Sequence, residues 1–162
     1  MRTQYAQSIL LVEDNDAHAH LIRTFLQEQS LVDHIDRVAD GEEALAYLFR
    51  RGPYENAWAR SLPALVLLDL RLPKLDGLEV LREIKASREL KDIPVVVLST
   101  SENEADVIAA YALHANGYLV KPLNAAQFDS MSKALVTYWL GWNHPPQSHP
   151  PASETASTSR RS

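Results

Sequence analysis

The stretch Leu65-Val66-Leu67-Leu68-Asp69-Leu70-Arg71-Leu72-Pro73 decides the fold. Four consecutive apolar residues read as a strand covered on both faces, as in a parallel sheet; a half-exposed strand would alternate apolar and polar. The run ends on an acid. In open α/β sheets, ligands gather beyond the carboxyl ends of the strands, so Asp69 stands where a ligand would meet the sheet.

Four further segments repeat this pattern. Ser8-Ile9-Leu10-Leu11-Val12 ends on Glu13-Asp14-Asn15-Asp16, where Asn15 or Asp16 is suited to cap a helix. Val95-Val96-Val97-Leu98 ends on Ser99-Thr100-Ser101, and Tyr118-Leu119-Val120 on Lys121-Pro122. A weaker strand around Ile35 to Val38 is expected nearer an edge. Between them lie helical spacings: Leu21, Ile22, Phe25 and Leu26; Ala44, Leu45 and Leu48; Leu78, Leu81 and Ile84; Val107, Ile108, Tyr111 and Ala112, stopping at an Asn116-Gly117 C-cap. The last helix, from about residue 125 to 140, carries the stripe Phe128, Met131, Leu135 and Tyr138, with Trp139 off it.

Strand and helix alternating in this way predict an α/β fold, a flavodoxin-like doubly wound five-stranded parallel sheet of order 2-1-3-4-5 with five helices. The connection Arg50 to Ser61 is long against the usual two to six residues or so. It is expected either to extend the second helix or to form a packed loop.

The chain has 162 residues, 46% of them hydrophobic, enough for one domain with a true core. That domain is expected over 8–143, with an N-terminal arm at 1–7 and a disordered Pro/Ser/Thr-rich tail at 144–162. The formal net charge of -5 weighs against DNA binding. Without cysteine there is no disulfide and no thiolate chemistry. No apolar run approaches the roughly 18 to 20 residues of a membrane span, and Met1-Arg2-Thr3-Gln4-Tyr5 lacks the apolar centre of a signal peptide. A cytoplasmic protein is expected. The six histidines (His18, His20, His34, His114, His144, His149) form no ligand constellation and read as surface residues.

Alternation brings the strand ends to one edge. Glu13, Asp14 and Asp69 meet there with Ser99, Thr100 and Lys121. Carboxylates held together repel one another, and a hard cation that keeps waters and phosphate among its ligands, Mg²⁺, suits them. A flavin site would need a Gly/Ser/Thr phosphate loop after the first strand, where this chain has acids. No Gly-x4-Gly-Lys-Ser/Thr P-loop is present. The acid-x-acid pattern of haloacid-dehalogenase phosphatases would need an acid at position 71, where Arg71 stands.

Glu13-Asp14, Asp69, Leu72-Pro73-x-x-Asp76-Gly77, Ser99 and Lys121-Pro122, each at its strand end, resemble the receiver domain of two-component response regulators. The resemblance spans about Ile9 to Trp142. Leu98-Ser99-Thr100-Ser101, His114-Ala115-Asn116-Gly117-Tyr118 and the Tyr138-Trp139-Leu140 ending are similar to small stand-alone regulators paired with cyanobacterial and bacterial phytochromes. The resemblance implies that Asp69 accepts a phosphoryl group from a sensor histidine kinase. It implies Mg²⁺ on Asp14 and Asp69, on Glu13 through water, and on the backbone carbonyl of Arg71. Lys121 and Ser99, with Thr100 beside it, would contact the phosphoryl group, and Ser99 and Tyr118 would act as the switch. Arg71 is larger than is common at its position, which bears on hydrolysis. The implied output is a change in the face formed by helix 4, strand 5 and helix 5. A homodimer is expected there, with Tyr138, Trp139 and Trp142 in the contact. Only about 20 residues follow the last predicted helix, too few for an output domain, so output is expected through protein contacts or onward phosphate transfer; with no second catalytic group visible, the chain is expected to be a phosphoacceptor signalling protein rather than an enzyme. The alternative is a pseudo-receiver or phosphorelay intermediate acting as a protein-interaction module.

Overall fold

Successive residues of a strand face opposite ways, so a run apolar at every position needs cover on both sides. In β1 (Ser8–Val12), Ile9 and Leu11 enter one buried cluster, and Leu10 and Val12 another. In β3 (Leu65–Leu68), Leu65 and Leu67 oppose Val66 and Leu68. In β4 (Val95–Ser99), Val96 and Leu98 oppose Val95 and Val97. Full burial of each such side chain is worth about 1.5–3 kcal/mol. The structure, a computed structural model, describes residues 7–56 and 61–146. The expected arm except Gln7, the tail beyond residue 146, and residues 57–60 of the long connection lie outside the described residues.

With β2 (His34–Val38) and β5 (Gly117–Val120), these strands form one parallel five-stranded sheet in the order β2-β1-β3-β4-β5, as expected. The weak second strand is at an edge. Helices α1 (Asp16–Gln27) and α5 (Ala125–Val136) cover one face. Helices α2 (Gly41–Leu48), α3 (Gly77–Ala86) and α4 (Glu104–Ala112) cover the other. All five helices start on a side-chain cap: Asn15, Asp40, Asp76, Asn103 and Asn124. Each cap satisfies an orphan N–H and is worth about 1 kcal/mol.

Asp76-Gly77 is more than a turn. A Cβ on Gly77 would lie 2.3 Å from the Asp69 carbonyl oxygen and 2.6 Å from Leu70 Cα. Only glycine lets the start of α3 come this close to the end of β3.

Two expectations change, and one left open is decided. Helix α4 stops at Ala112, and His114 turns the chain with φ 67°, so Asn116-Gly117 is not its cap. Gly117 opens β5, and Asn116 Oδ1 accepts from the Val95 amide instead. On α4 it is Ala110 that is buried, while Ile108 and Tyr111 face outward. Second, α5 does not run regularly to Leu140. A π-helical turn, Thr137–Trp142, follows it. The wider turn shifts the helical register, which reverses two assignments: Tyr138 is 54% exposed, whereas Trp139 packs on the α1/α5 cluster and Leu140 is buried. Of the two courses expected for the long connection, its described residues do not follow the first, an extension of α2. They make a 3₁₀ turn at Gly52–Tyr54, and the Tyr54 ring meets Tyr47 edge-on at 5.2 Å while its hydroxyl donates to Glu43. Burial of that hydroxyl, and then the Glu43 carboxylate beside it, push the Tyr54 pKa up to about 12.

Candidate functional site

The site is built by extending the sheet's hydrogen bonds one residue past the strands. The Asp69 amide donates to the Val12 carbonyl, the Glu13 amide to Val38, and the Lys121 amide to Ser99. Each functional residue is thus the first beyond its strand and still anchored to the strand beside it, so its side chain starts from a fixed backbone.

Lys121 stands at the centre. Its Nζ donates to Glu13 Oε2 at 2.6 Å and to Asp69 Oδ2 at 2.9 Å, and its side chain is only 4% exposed. Glu13 and Asp69 are buried and Asp14 is exposed. One carboxylate oxygen from each of Glu13, Asp14 and Asp69 lies within 4.8 Å of the others. Three carboxylates therefore cluster at one ammonium, which contacts two of them, Glu13 and Asp69. Burial pushes the Glu13 carboxyl above its usual range, the charge of Asp69 adds to this, and the hydrogen bond from Lys121 works against it. An all-oxygen donor set with surplus negative charge, open to solvent at Asp14, fits a hard divalent cation.

The other expected residues form a second group at the same edge. Ser99 is fully buried, and its Oγ accepts from the Ser101 amide at 3.1 Å. The Tyr118 ring packs on the α2/α3/α4 cluster, and its hydroxyl donates to the Ser101 carbonyl at 2.8 Å. Ser99 and Tyr118 thus meet through Ser101, while Thr100 is exposed. The Arg71 guanidinium turns to α4 and pairs with Asp106 at 2.9 Å, and the Arg71 amide donates to Asp69 Oδ1. Ser101 Oγ donates to the same Asp106 oxygen at 2.6 Å. Tyr138, Trp139 and Trp142 are not part of this edge. Their turn is tied to the start of β1, where the Gln7 side-chain amide donates to the Leu140 carbonyl.

Four contributors were not assigned a role from sequence: Arg37, His18, Ser101 and Asp106. Arg37 on β2 donates to the carbonyls of Glu13 and Asp14 and pairs with Asp16, pinning the acidic loop. His18, read as a surface residue, has Nδ1 3.2 Å from Lys121 Nζ. The sequence signal for each is nil, because the contacts run to remote residues or backbone atoms or, for Ser101 and Asp106, join two polar side chains five positions apart that no motif marks.

Residues 9–133 match the family described as response regulator receiver domain. Over 132 residues the chain is 47% identical to response regulator Rcp1 of Synechocystis sp. (strain ATCC 27184 / PCC 6803 / Kazusa), spanning 82% of this chain and 88% of Rcp1. Over 138 residues it is 48% identical to the probable methanogenesis regulatory protein FilR2 of Methanothrix harundinacea (strain 6Ac), spanning 85% and 86% of the two chains. Among solved structures, the phosphorylated cyanobacterial phytochrome response regulator RcpA superposes with a TM-score of 0.81 at 47% identity, covering 87% of this chain and 99% of RcpA. The Mn²⁺-bound form of Rcp1 superposes with a TM-score of 0.79 at 46% identity, over 87% and 99%.

Proposed function

The chain belongs to the response regulator receiver family, and from that premise we propose that Asp69 is its phosphoacceptor and Lys121 the residue that greets the incoming phosphoryl group. The observation that carries this is the Lys121 ammonium within 2.9 Å of Asp69 Oδ2, beside a three-carboxylate cluster that needs a cation. Receiver domains bind Mg²⁺ at such an acidic pocket. Here Asp14 and Asp69 would hold it, with Glu13 through water and the Arg71 carbonyl. When bound, Mg²⁺ neutralises charge on the phosphoryl oxygens.

The donor is a phosphohistidine on a sensor histidine kinase. A carboxylate oxygen of Asp69 attacks phosphorus in line, the bond from phosphorus to the donor nitrogen breaks, and the electron pair leaves with the imidazole. The product is an acyl phosphate. Lys121 then turns its proton from Asp69 Oδ2 to a phosphoryl oxygen. Ser99, with Thr100 exposed next to it, donates to the phosphoryl group, and the Ser101 amide is released from Ser99 Oγ. Tyr118, bonded to the Ser101 carbonyl, follows this local rearrangement as the second part of a two-state element. Ile108, Tyr111, Val120 and Leu123, all exposed, form the responding surface on α4, β5 and the loop that leads into α5.

The receiver occupies residues 8–143 and works in the cytoplasm; among the described residues no helix is long and apolar enough to cross a membrane. It is a signalling protein whose only chemistry is on itself. The likeness to RcpA supports a phytochrome-type kinase, and the equal likeness to FilR2 makes the kinase class a separate question. Tyr138 and Trp142, exposed on the π turn with Trp139 packed behind Tyr138, support a homodimer through this end of α5. Light scattering that gives a monomer both with and without a phosphoryl mimic would reject the dimer.

The central test is intact mass after incubation with Mg²⁺ and a small phosphodonor. One added phosphoryl group is expected on the natural chain and none on Asp69→Asn. Equal labelling of both would reject the assignment. Transfer from a phytochrome-type kinase to a chain that the small donor also labels supports the narrower reading; labelling by the small donor alone rejects it.

A further inference from the structure

The ammonium of Lys121 has three protons and three acceptors. Glu13 Oε2 and Asp69 Oδ2 take two, and the third partner is His18 Nδ1 at 3.2 Å. An ammonium has no lone pair, so Nδ1 can take part in this contact only as the acceptor; the same Nδ1 lies 3.8 Å from Glu13 Oε1. His18 is held for this. It lies in the first turn of α1, its amide is bonded to the capping Asn15 Oδ1, and its side chain is 40% exposed over a lysine that is 4% exposed. The imidazole is therefore the cover between Lys121 and solvent.

We infer that His18 is a positioning residue for phosphoryl transfer, acting through Lys121; the inference rests on Asp69 being the phosphoacceptor. When Asp69 becomes an acyl phosphate, its carboxylate charge is lost and one Lys121 proton must turn to the phosphoryl group. The ammonium stays aimed only if its other two protons keep their acceptors. Glu13 supplies one and His18 the other. Without His18 that proton faces water, and the ammonium is free to swing about its stem.

The tests separate this role from simple packing. In the full-length, metal-free chain, ¹⁵N spectra of the His18 ring should show Nδ1 as the unprotonated, hydrogen-bonded nitrogen. A proton on Nδ1 would overturn the inference. With Mg²⁺ and a small phosphodonor, His18→Leu should slow acyl-phosphate formation about three- to tenfold, the worth of one hydrogen bond. His18→Asn, whose Oδ1 sits where Nδ1 does, should recover most of the rate. In a Lys121→Met background, His18→Leu should cost nothing more. If His18→Leu labels as fast as the natural chain, or loses the same factor without Lys121, His18 does not act through Lys121. If the natural chain takes no phosphoryl group at all, the phosphoacceptor reading fails and this inference with it.

Discussion

Two lysines sit at opposite edges of the same sheet and are satisfied in opposite ways. At the amino edge, the Lys85 ammonium donates to the carbonyls of Lys91 and Ile93 and to Asn116 Oδ1, all neutral dipoles. At the carboxyl edge, Lys121 meets the carboxylates of Glu13 and Asp69, with Asp14 close by. Lys85 closes the ends of α3, β4 and β5 into one knot and leaves little unmet. Lys121 leaves its surroundings with more negative charge than it can answer. A cation among dipoles finishes a structure; a cation outnumbered by carboxylates leaves it ready for another cation and for a phosphoryl group.

The largest test of this contrast is Lys121→Met. It leaves the buried Glu13 and Asp69 carboxylates without their ammonium, each keeping only a backbone amide donor, and breaking a buried pair on one side costs about 3–5 kcal/mol. Denaturant unfolding should show that loss in the metal-free chain and its partial recovery on adding Mg²⁺. An unchanged midpoint would mean the site is not charge-strained. Lys85→Met should cost less, about 1–3 kcal/mol, because it abandons neutral acceptors at a half-buried position. Mg²⁺ should not restore it, and the folded variant should accept phosphate at the normal rate.

The same contrast explains what was legible in the sequence. The carboxyl edge could be read because buried parallel strands are unbroken apolar runs. Their ends are visible as the first polar residue, so Glu13, Asp69, Ser99 and Lys121 announce themselves. The amino edge could not. Lys85 looks like one more polar position on α3, and Asn116 looks like a helix cap, because their partners are backbone carbonyls and a strand amide. His18 was unreadable for a related reason, its partner being 103 positions away. Helix α4 is apolar around much of its girth, so spacing alone did not tell that Ala110 is buried and Ile108 exposed. The Phe128, Met131, Leu135, Tyr138 stripe keeps a regular period in the sequence; the π turn breaks it with no proline or glycine at Thr137 to give warning.

A smaller effect comes from Asp14. It is exposed, contributes one of the three clustered carboxylates and is not a partner of Lys121 among the described contacts. Asp14→Asn should therefore relieve repulsion without stranding the lysine. Thermal unfolding without metal is expected to rise slightly, by under about 1 kcal/mol of stability, the scale of an exposed charge pair. The rise in melting temperature that Mg²⁺ gives the natural chain should largely vanish. A variant less stable without metal would show that Asp14 has a supporting role in the apo fold.

The smallest effects are two slopes against pH, and their signs differ. Burial raises the Glu13 carboxyl above 4.5. Between 4.5 and the raised value, the folded metal-free chain keeps a proton that the unfolded chain gives up. The stability from this group is full below 4.5 and lost as pH rises through that window. Lys85 is shifted the other way, its burial lowering it below 10.5 although Asp92 pulls it up. Between the lowered value and 10.5 the unfolded chain holds the extra proton, so stability rises with pH there. Subtracting the pH–stability curve of Glu13→Gln from that of the natural chain should leave a falling acid-side step, and subtracting Lys85→Met a rising alkaline one. Steps of the same sign would mean that one of these groups is not held by burial, and the contrast between the two edges would then rest on hydrogen bonds alone.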